Sequence, residues 1–160
     1  MLLDLYRRRV LQNMKAPVMI AHRGNVVGPD PANENNPRHI DAALSAGFDA
    51  EIDVWHTNNR FYLGHDNSQH VVELEYLKNP SLWCHAKSRK TLEVLLEHDI
   101  HCFWHQTDDF TITSAGYIWT FPQKPVGPKS VIVCKTEEET VIMAKGRIAG
   151  ICSDYVGLLK

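Results

Sequence analysis

The chain has 160 residues, of which 44% are hydrophobic and 22% charged, and its formal net charge is −2. This length is enough for one hydrophobic core and too short for two ordinary domains, so we expect a single domain over residues 1–160. A net charge near zero gives no electrostatic basis for binding nucleic acid or an anionic membrane. No apolar run approaches the roughly 18 residues of a membrane span.

The chain is predicted to open with a lead-in segment over residues 1–16. Within it, apolar residues recur at helical spacing over residues 2–14 and predict an amphipathic helix. Three arginines, residues 7–9, follow the first apolar stretch instead of preceding it, which argues against a signal peptide. The four cysteines, Cys84, Cys102, Cys134 and Cys152, form no Cys-x-x-Cys pair, so we expect buried, reduced thiols and a cytoplasmic location.

Strand and helix signals alternate along the rest of the chain. Helices are predicted over residues 37–46, 89–98 and 137–145, each behind a capping residue: Asn36, Ser88 and Thr136. The third of eight strand candidates follows an Asn58-Asn59 turn. The candidates are residues 18–22, 48–55, 60–64, 82–87, 100–105, 117–121, 130–135 and 148–153.

This alternation predicts an α/β fold with a parallel sheet, and eight strands suggest a closed (β/α)₈ barrel of the TIM type. Such barrels typically need about 250 residues. The link from Phe121 to Ser130 also holds three prolines and a glycine, which exclude a helix there. We therefore expect a reduced (β/α)₈ barrel with several crossover helices missing, and a smaller open α/β sheet is the alternative.

Glu51 and Asp53 are two residues apart on the second predicted strand, so their side chains point to the same face. Two carboxylates directed into a sheet interior repel each other unless a cation compensates. A hard divalent ion such as Mg²⁺ or Ca²⁺ is the usual solution. The alternative is a solvated edge strand with two incidental acids. His85 and Lys87 repeat the same spacing on the fourth predicted strand.

Polar clusters stand at or near the ends of the predicted strands: His22-Arg23-Gly24, Glu34-Asn35, Glu51-Ile52-Asp53, His65-Asp66 and His85-Ala86-Lys87. Their order resembles the glycerophosphodiester phosphodiesterase family, within the phospholipase C-like (PLC-like) phosphodiesterase barrels. Trp119-Thr120 and Ile151-Cys152-Ser153-Asp154 resemble two late motifs of that family, although Tyr155 replaces the proline that usually follows. The resemblance covers roughly residues 18–155.

The resemblance implies a phosphoric diester hydrolase that uses a divalent metal and acts on a small phosphodiester. His22 and His65 would then be the general acid and base, because histidine titrates near neutral pH. Arg23 and Lys87 would bind the substrate phosphate. Glu51, Asp53 and Glu34 would be metal ligands. The family resemblance does not decide which histidine is the base, which head group is cleaved or whether the protein forms a homo-oligomer.

His85 is the main departure from the family pattern, since a glutamate ligand usually occupies this position. A neutral imidazole still coordinates, but it shifts preference from Mg²⁺ or Ca²⁺ toward Mn²⁺ or Zn²⁺. The alternative is that His85 does not bind the metal, whose ligands are then Glu51, Asp53, Glu34 and water. Two other functions remain open: a sphingomyelinase D-like lyase that gives a cyclic phosphate, and a catalytically weak phosphate- or metal-binding module.

Overall fold

The computed structural model describes residues 16–160, so the helix predicted at 2–14 lies outside the described residues. The helices are α1 (Pro37–Ser45), α2 (Leu74–Leu77), α3 (Arg89–Glu97) and α4 (Glu137–Met143), with a 3₁₀ helix at Val156–Leu159. The strands are β1 (Val18–His22), β2 (Asp49–Thr57), β3 (Arg60–Leu63), β4 (His70–Val72), β5 (Leu82–Ala86), β6 (Cys102–Phe103), β7 (Phe110–Ile112), β8 (Ile118–Thr120), β9 (Ser130–Cys134) and β10 (Gly150–Ser153).

The molecule is a mixed α/β structure built on one curled sheet with few helices. Seven strands run parallel in the order β6-β5-β2-β1-β10-β9-β8. Three strands are antiparallel to their neighbours: β3 pairs with β2, β4 with β3, and β7 with β8. Because the central strands are parallel, their carboxyl ends meet at one edge of the sheet, and the polar clusters of the sequence stand at that edge.

All eight predicted strands occur, but the expectation that all eight are parallel is wrong for the third. β3 folds back on β2 as a hairpin, because a two-residue turn joins antiparallel strands while a parallel pair needs a crossover of a dozen or more residues. The turn residues Asn58 and Asn59 both have positive φ, 51° and 56°, as a hairpin turn of this kind requires. The short elements β4, β7 and α2 were not predicted.

The three longer helices begin where the capping residues predict. The side chains of Asn36, Ser88 and Thr136 accept hydrogen bonds from backbone N–H groups in the first turns of α1, α3 and α4. The link between β8 and β9 contains no helix, as its prolines predict.

Six strands each contribute one residue to a packed inner cluster beneath the polar edge. The cluster consists of Ile20, Trp83, Phe103, Trp119, Val131 and Cys152. No strand pairing within residues 16–160 joins β6 to β8. The gap is filled by side chains, since the rings of Phe103 and Trp119 stack with centroids 4.3 Å apart. Ser114 also bridges to β6, donating its backbone N–H to the carbonyl of Cys102 at 2.8 Å.

The four cysteines are free and buried, as the sequence predicts. No helix in the part of the chain that the structure describes is long and apolar enough to cross a bilayer.

Candidate metal and catalytic site

A pocket of about 420 Å³ opens at the carboxyl edge of the parallel strands. It is lined by residues from β1, β2, β5, β8 and β9 and from the segments that follow the strands. Most of the residues predicted to be functional line it: His22, Arg23, Glu51, Asp53, His65 and His85. Two of the predicted residues, Glu34 and Lys87, do not line this pocket.

Glu51, Asp53 and His85 form the buried centre of the site. Each offers a ligand atom, and these atoms lie within 4.8 Å of one another. The cluster follows from strand register, because Asp53 on β2 is paired directly with His85 on β5. Glu51 is 3% exposed and Asp53 is 1% exposed, so neither carboxylate is solvated as an edge-strand acid would be. These two acids and an imidazole could therefore bind a divalent metal.

Asp53 is surrounded by cations and by one amide. Its Oδ1 lies 3.1 Å from Lys87 Nζ and 3.2 Å from His85 Nδ1. Its Oδ2 lies 3.1 Å from Arg23 Nε and accepts a hydrogen bond from the Asn35 amide at 2.9 Å. Burial alone would raise the pKa of Asp53, but the contact with His85 and the neighbouring positive charges hold the pKa well below its ordinary value.

Glu51 differs from Asp53 because its carboxylate is largely unpartnered. Its Oε2 is buried and has no hydrogen-bond partner among the described residues. Its Oε1 lies 3.7 Å from His85 Nδ1, which is too long for a strong hydrogen bond. A buried carboxylate oxygen without a partner is costly. The residues present therefore fit a divalent cation, which would supply the missing partner and accept one imidazole and two carboxylate ligands.

His85 carries a positive charge in the metal-free protein. Burial alone would lower its pKa, but the close contact with Asp53 and the negative charges of Glu51 and Asp53 outweigh burial and raise the pKa to about 9. Its ring is stacked on Phe103 and His105, with centroids 5.1 and 4.7 Å away. Burial and the charge of His85 lower the pKa of His105. His85 thus partly neutralises the two acids where a metal would otherwise do so.

The imidazole rings of His22 and His65 are each held by a hydrogen bond to a carboxylate. Nδ1 of His22 lies 2.9 Å from Oδ1 of Asp154, and Nδ1 of His65 lies 2.7 Å from Oδ1 of Asp66. In both residues the hydrogen bond occupies Nδ1 and leaves Nε2 for proton transfer. Burial would lower the pKa of His22, but the Asp154 hydrogen bond and the charge of Glu51 raise it above its ordinary value.

Arg23 adopts a left-handed backbone conformation, with φ of 53°, at the end of β1. Non-glycine residues rarely hold this conformation unless their surroundings fix it. Its backbone N–H donates to the carbonyl of Glu51 at 2.9 Å, and its carbonyl accepts from Asn35 at 3.1 Å. These bonds attach the turn after β1 to the strand that carries the acids.

Glu34 lies outside the group of three potential ligands. It accepts hydrogen bonds from Arg23 Nη1 at 2.9 Å and from the Asn25 amide at 3.0 Å. In this position it orients the Arg23 guanidinium. Lys87 likewise contacts Asp53 instead of the pocket.

Several residues that hold the site together were not among the predicted catalytic, phosphate-binding or metal-binding residues. Asn25 is fully buried and donates to both Glu34 and Asp154. The Asn35 side chain donates to Asp53 and accepts from the Asp53 backbone N–H. Both Asn35 and Asp154 belong to motifs that the sequence displays, Glu-Asn and Ile-Cys-Ser-Asp, so their signal was present. No sequence signal marked Asn25 or His105.

The chain matches no family model and no curated protein. Function must therefore be inferred from the geometry of the site and from the motifs of the sequence.

Proposed function

We propose that this protein is a metal-dependent phosphodiesterase of glycerophosphodiester phosphodiesterase type, with a reduced PLC-like (β/α)₈ barrel as its scaffold. One observation carries the proposal: buried Glu51, Asp53 and His85 share a pocket with two histidines, each held by a carboxylate. The four free, buried thiols support a cytoplasmic location.

The metal would be held by Glu51, Asp53 and His85, and Glu34 is left to orient Arg23. When bound, a divalent ion would lower the pKa of a coordinated hydroxyl and reduce the negative charge on the phosphate. Mg²⁺ or Ca²⁺ fits the two carboxylates, and the imidazole of His85 extends the range to Mn²⁺ or Zn²⁺. Lys87 and Asn35 keep the Asp53 carboxylate in place.

The proton transfers fall to His22 and His65. Phosphodiester cleavage needs one group to remove the proton of the nucleophile and another to protonate the departing oxygen. Asp154 and Asp66 hold the two imidazoles through Nδ1, so each presents Nε2 to the substrate. Arg23 has five guanidinium N–H groups, and those not engaged by Glu34 and Asp53 are available to phosphate oxygens.

The proposal is tested by hydrolysis of bis(p-nitrophenyl) phosphate with Mn²⁺ or Mg²⁺ and with EDTA. We expect turnover that requires the metal, and His22→Ala and His65→Ala should each lower it by about 10²–10⁴-fold. His98→Ala is the matched control, because this exposed histidine does not line the pocket. Metal-independent turnover, or near-normal turnover in both pocket variants, would exclude the proposed mechanism.

A further inference from the structure

Lys135 follows β9 on the flank of the pocket away from the metal ligands. Two strands, β10 and β1, separate β9 from β2, so the curl of the sheet places Lys135 and the acids on different walls. Lys135 lines the pocket together with Phe121 at the end of β8. The residue is exposed, and its Nζ lies 5.4 Å from the centroid of the Phe121 ring.

The other cationic side chains of the site already have carboxylate partners. Arg23 pairs with Glu34 and Asp53, and Lys87 pairs with Asp53. Within residues 16–160, the Lys135 ammonium has no carboxylate oxygen within the 4.0 Å limit of an ion pair. The Glu139 carboxylate accepts from the backbone N–H of Lys135 and from Gln123, and it does not pair with Nζ. Lys135 is thus a cation at the pocket whose charge is available to a ligand.

Packing against an aromatic face also restricts where this ammonium can go. A lysine whose stem covers an apolar ring keeps its charged end at the polar boundary. A cation over a ring is stabilised by the ring quadrupole, so Phe121 favours a limited set of Lys135 conformations. The ammonium is therefore held near the pocket and has donors left for an anion.

We propose that Lys135 is a substrate-binding residue that contacts a phosphate oxygen from the wall opposite the metal ligands. The identity of the anion, a phosphate ester, rests on the proposed phosphodiesterase function. A phosphodiester carries one negative charge, and Lys135 supplies one positive charge that forms no ion pair with a carboxylate among residues 16–160. The substrate phosphate would then lie between Arg23 on one side and Lys135 on the other.

The test compares Lys135→Met with Lys135→Arg and Lys124→Met. Lys124→Met is the matched control, because Lys124, in the link that precedes β9, pairs with Asp109 and does not line the pocket. Inorganic phosphate is titrated calorimetrically into each protein with EDTA and with Mg²⁺. Loss of one charge-assisted contact should weaken phosphate binding by about 10- to 100-fold in Lys135→Met. Lys135→Arg should retain most of the affinity, and Lys124→Met should match the unaltered chain.

Metal affinity and turnover separate this inference from the proposed function. Lys135→Met should bind Mn²⁺ as the unaltered chain does, and in hydrolysis its KM should rise more than its kcat falls. If Lys135→Met binds phosphate as tightly as Lys124→Met, or if the unaltered chain binds no phosphate, Lys135 is not an anion-binding residue. If phosphate binding depends on Lys135 but no metal-dependent hydrolysis is found, the subsite stands and the phosphodiesterase proposal fails.

Discussion

At the scale of single residues, the two acids of the site have different environments although they sit two positions apart on one strand. Asp53 contacts Arg23, Lys87, His85 and Asn35, while one oxygen of Glu51 has no hydrogen-bond partner within residues 16–160. The alternation of a strand places both acids on one face but does not specify what surrounds them. The difference arises from the turn after β1 and from β5, which both contact Asp53.

This difference predicts opposite effects of neutralising each acid on the stability of the metal-free protein. Glu51→Gln removes a buried carboxylate whose Oε2 has no hydrogen-bond partner among the described residues, so its free energy of unfolding should stay within about 1 kcal/mol or increase. Asp53→Asn leaves Lys87, Arg23 and His85 without their shared partner, so its free energy of unfolding should fall by about 3–5 kcal/mol. Both variants should lose metal binding.

Urea unfolding with excess EDTA measures the two stabilities, and Mn²⁺ titration measures binding. Tyr76 bonds Asp41 on the surface, so Asp41→Asn is a suitable control for neutralising an acid away from the pocket. A large loss of stability in Glu51→Gln would show that Glu51 has a structural role, and it would remove the main support for a metal at this position.

At the scale of secondary structure, the first part of β2 belongs to the parallel sheet and its last part belongs to a hairpin. Residues 49–51 pair with β1, residues 50–54 pair with β5, and the last four residues form the hairpin with β3. The hairpin returns the chain to the pocket at Gly64 and His65. Gly64 N–H donates to the carbonyl of Asp53 at 3.1 Å, and its own carbonyl accepts from Trp55 Nε1 at 2.7 Å. His65 is therefore positioned by the residue that precedes it.

Gly64→Ala should disrupt the position of His65. Gly64 has a φ of 151°, and an added Cβ would lie 2.1 Å from the backbone oxygen of Asn67. The segment must move, which should lower the free energy of unfolding by about 2 kcal/mol. A shift of His65 by about 1 Å should lower turnover by about 10²-fold. Melting curves and bis(p-nitrophenyl) phosphate turnover measure the two effects.

Gly116→Ala provides the control, since Gly116 also has a positive φ, 83°, but in the described part of the chain no atom beyond its two sequence neighbours lies within 4 Å of the added Cβ. It should lose about 1 kcal/mol of stability and keep its turnover. Normal activity in Gly64→Ala would mean that the hairpin tolerates the change, and His65 would then not depend on this glycine for its position.

At the scale of the whole molecule, the sequence predicted the strands and the positions of the polar residues near their ends better than the connections between them. Strand ends are marked locally, because an apolar run followed by His22-Arg23 or His85-Ala86-Lys87 is visible in a short window. The antiparallel direction of β3 follows from the short turn before it. The count of eight strands instead suggested a (β/α)₈ barrel, in which β3 would be parallel. Glu34 was predicted to be a metal ligand because of its Glu-Asn motif. The pairing of Glu34 with Arg23 depends on the conformation of the turn after β1, which no sequence pattern specifies.

The site contacts that the sequence did not predict mostly join residues that are far apart in the chain. His22 and Asp154 are 132 residues apart in sequence, yet they form a hydrogen bond because β1 and β10 are neighbours in the sheet. Asn25 bonds Asp154 across a similar separation, and Lys135 reaches the pocket only because the sheet curls. Such partners become visible only when the strand order is known.

The charge state of His85 links metal binding to the stability of the whole molecule. In the metal-free protein the pKa of His85 is raised to about 9, above the ordinary value of about 6.5 for an unfolded chain. A group whose pKa is raised on folding stabilises the folded state fully below its unfolded pKa. That contribution is lost as the pH rises through the folded value. The metal-free protein should therefore lose stability between about pH 6.5 and about pH 9.

A bound metal should reverse this pH response. Coordination requires a neutral imidazole, so protons compete with the metal at His85, and the stabilisation by Mn²⁺ should increase as the pH rises. His85→Glu should abolish the loss of stability that His85 causes in EDTA as the pH rises. It should also shift the metal preference from Mn²⁺ toward Mg²⁺, because all protein ligands of the metal are then oxygens. Melting temperatures in EDTA, Mg²⁺ and Mn²⁺ at about pH 6 and about pH 8.5 test both effects. Identical metal ranking and pH response in the two proteins would show that His85 is not a ligand, and the metal would then depend on Glu51 and Asp53.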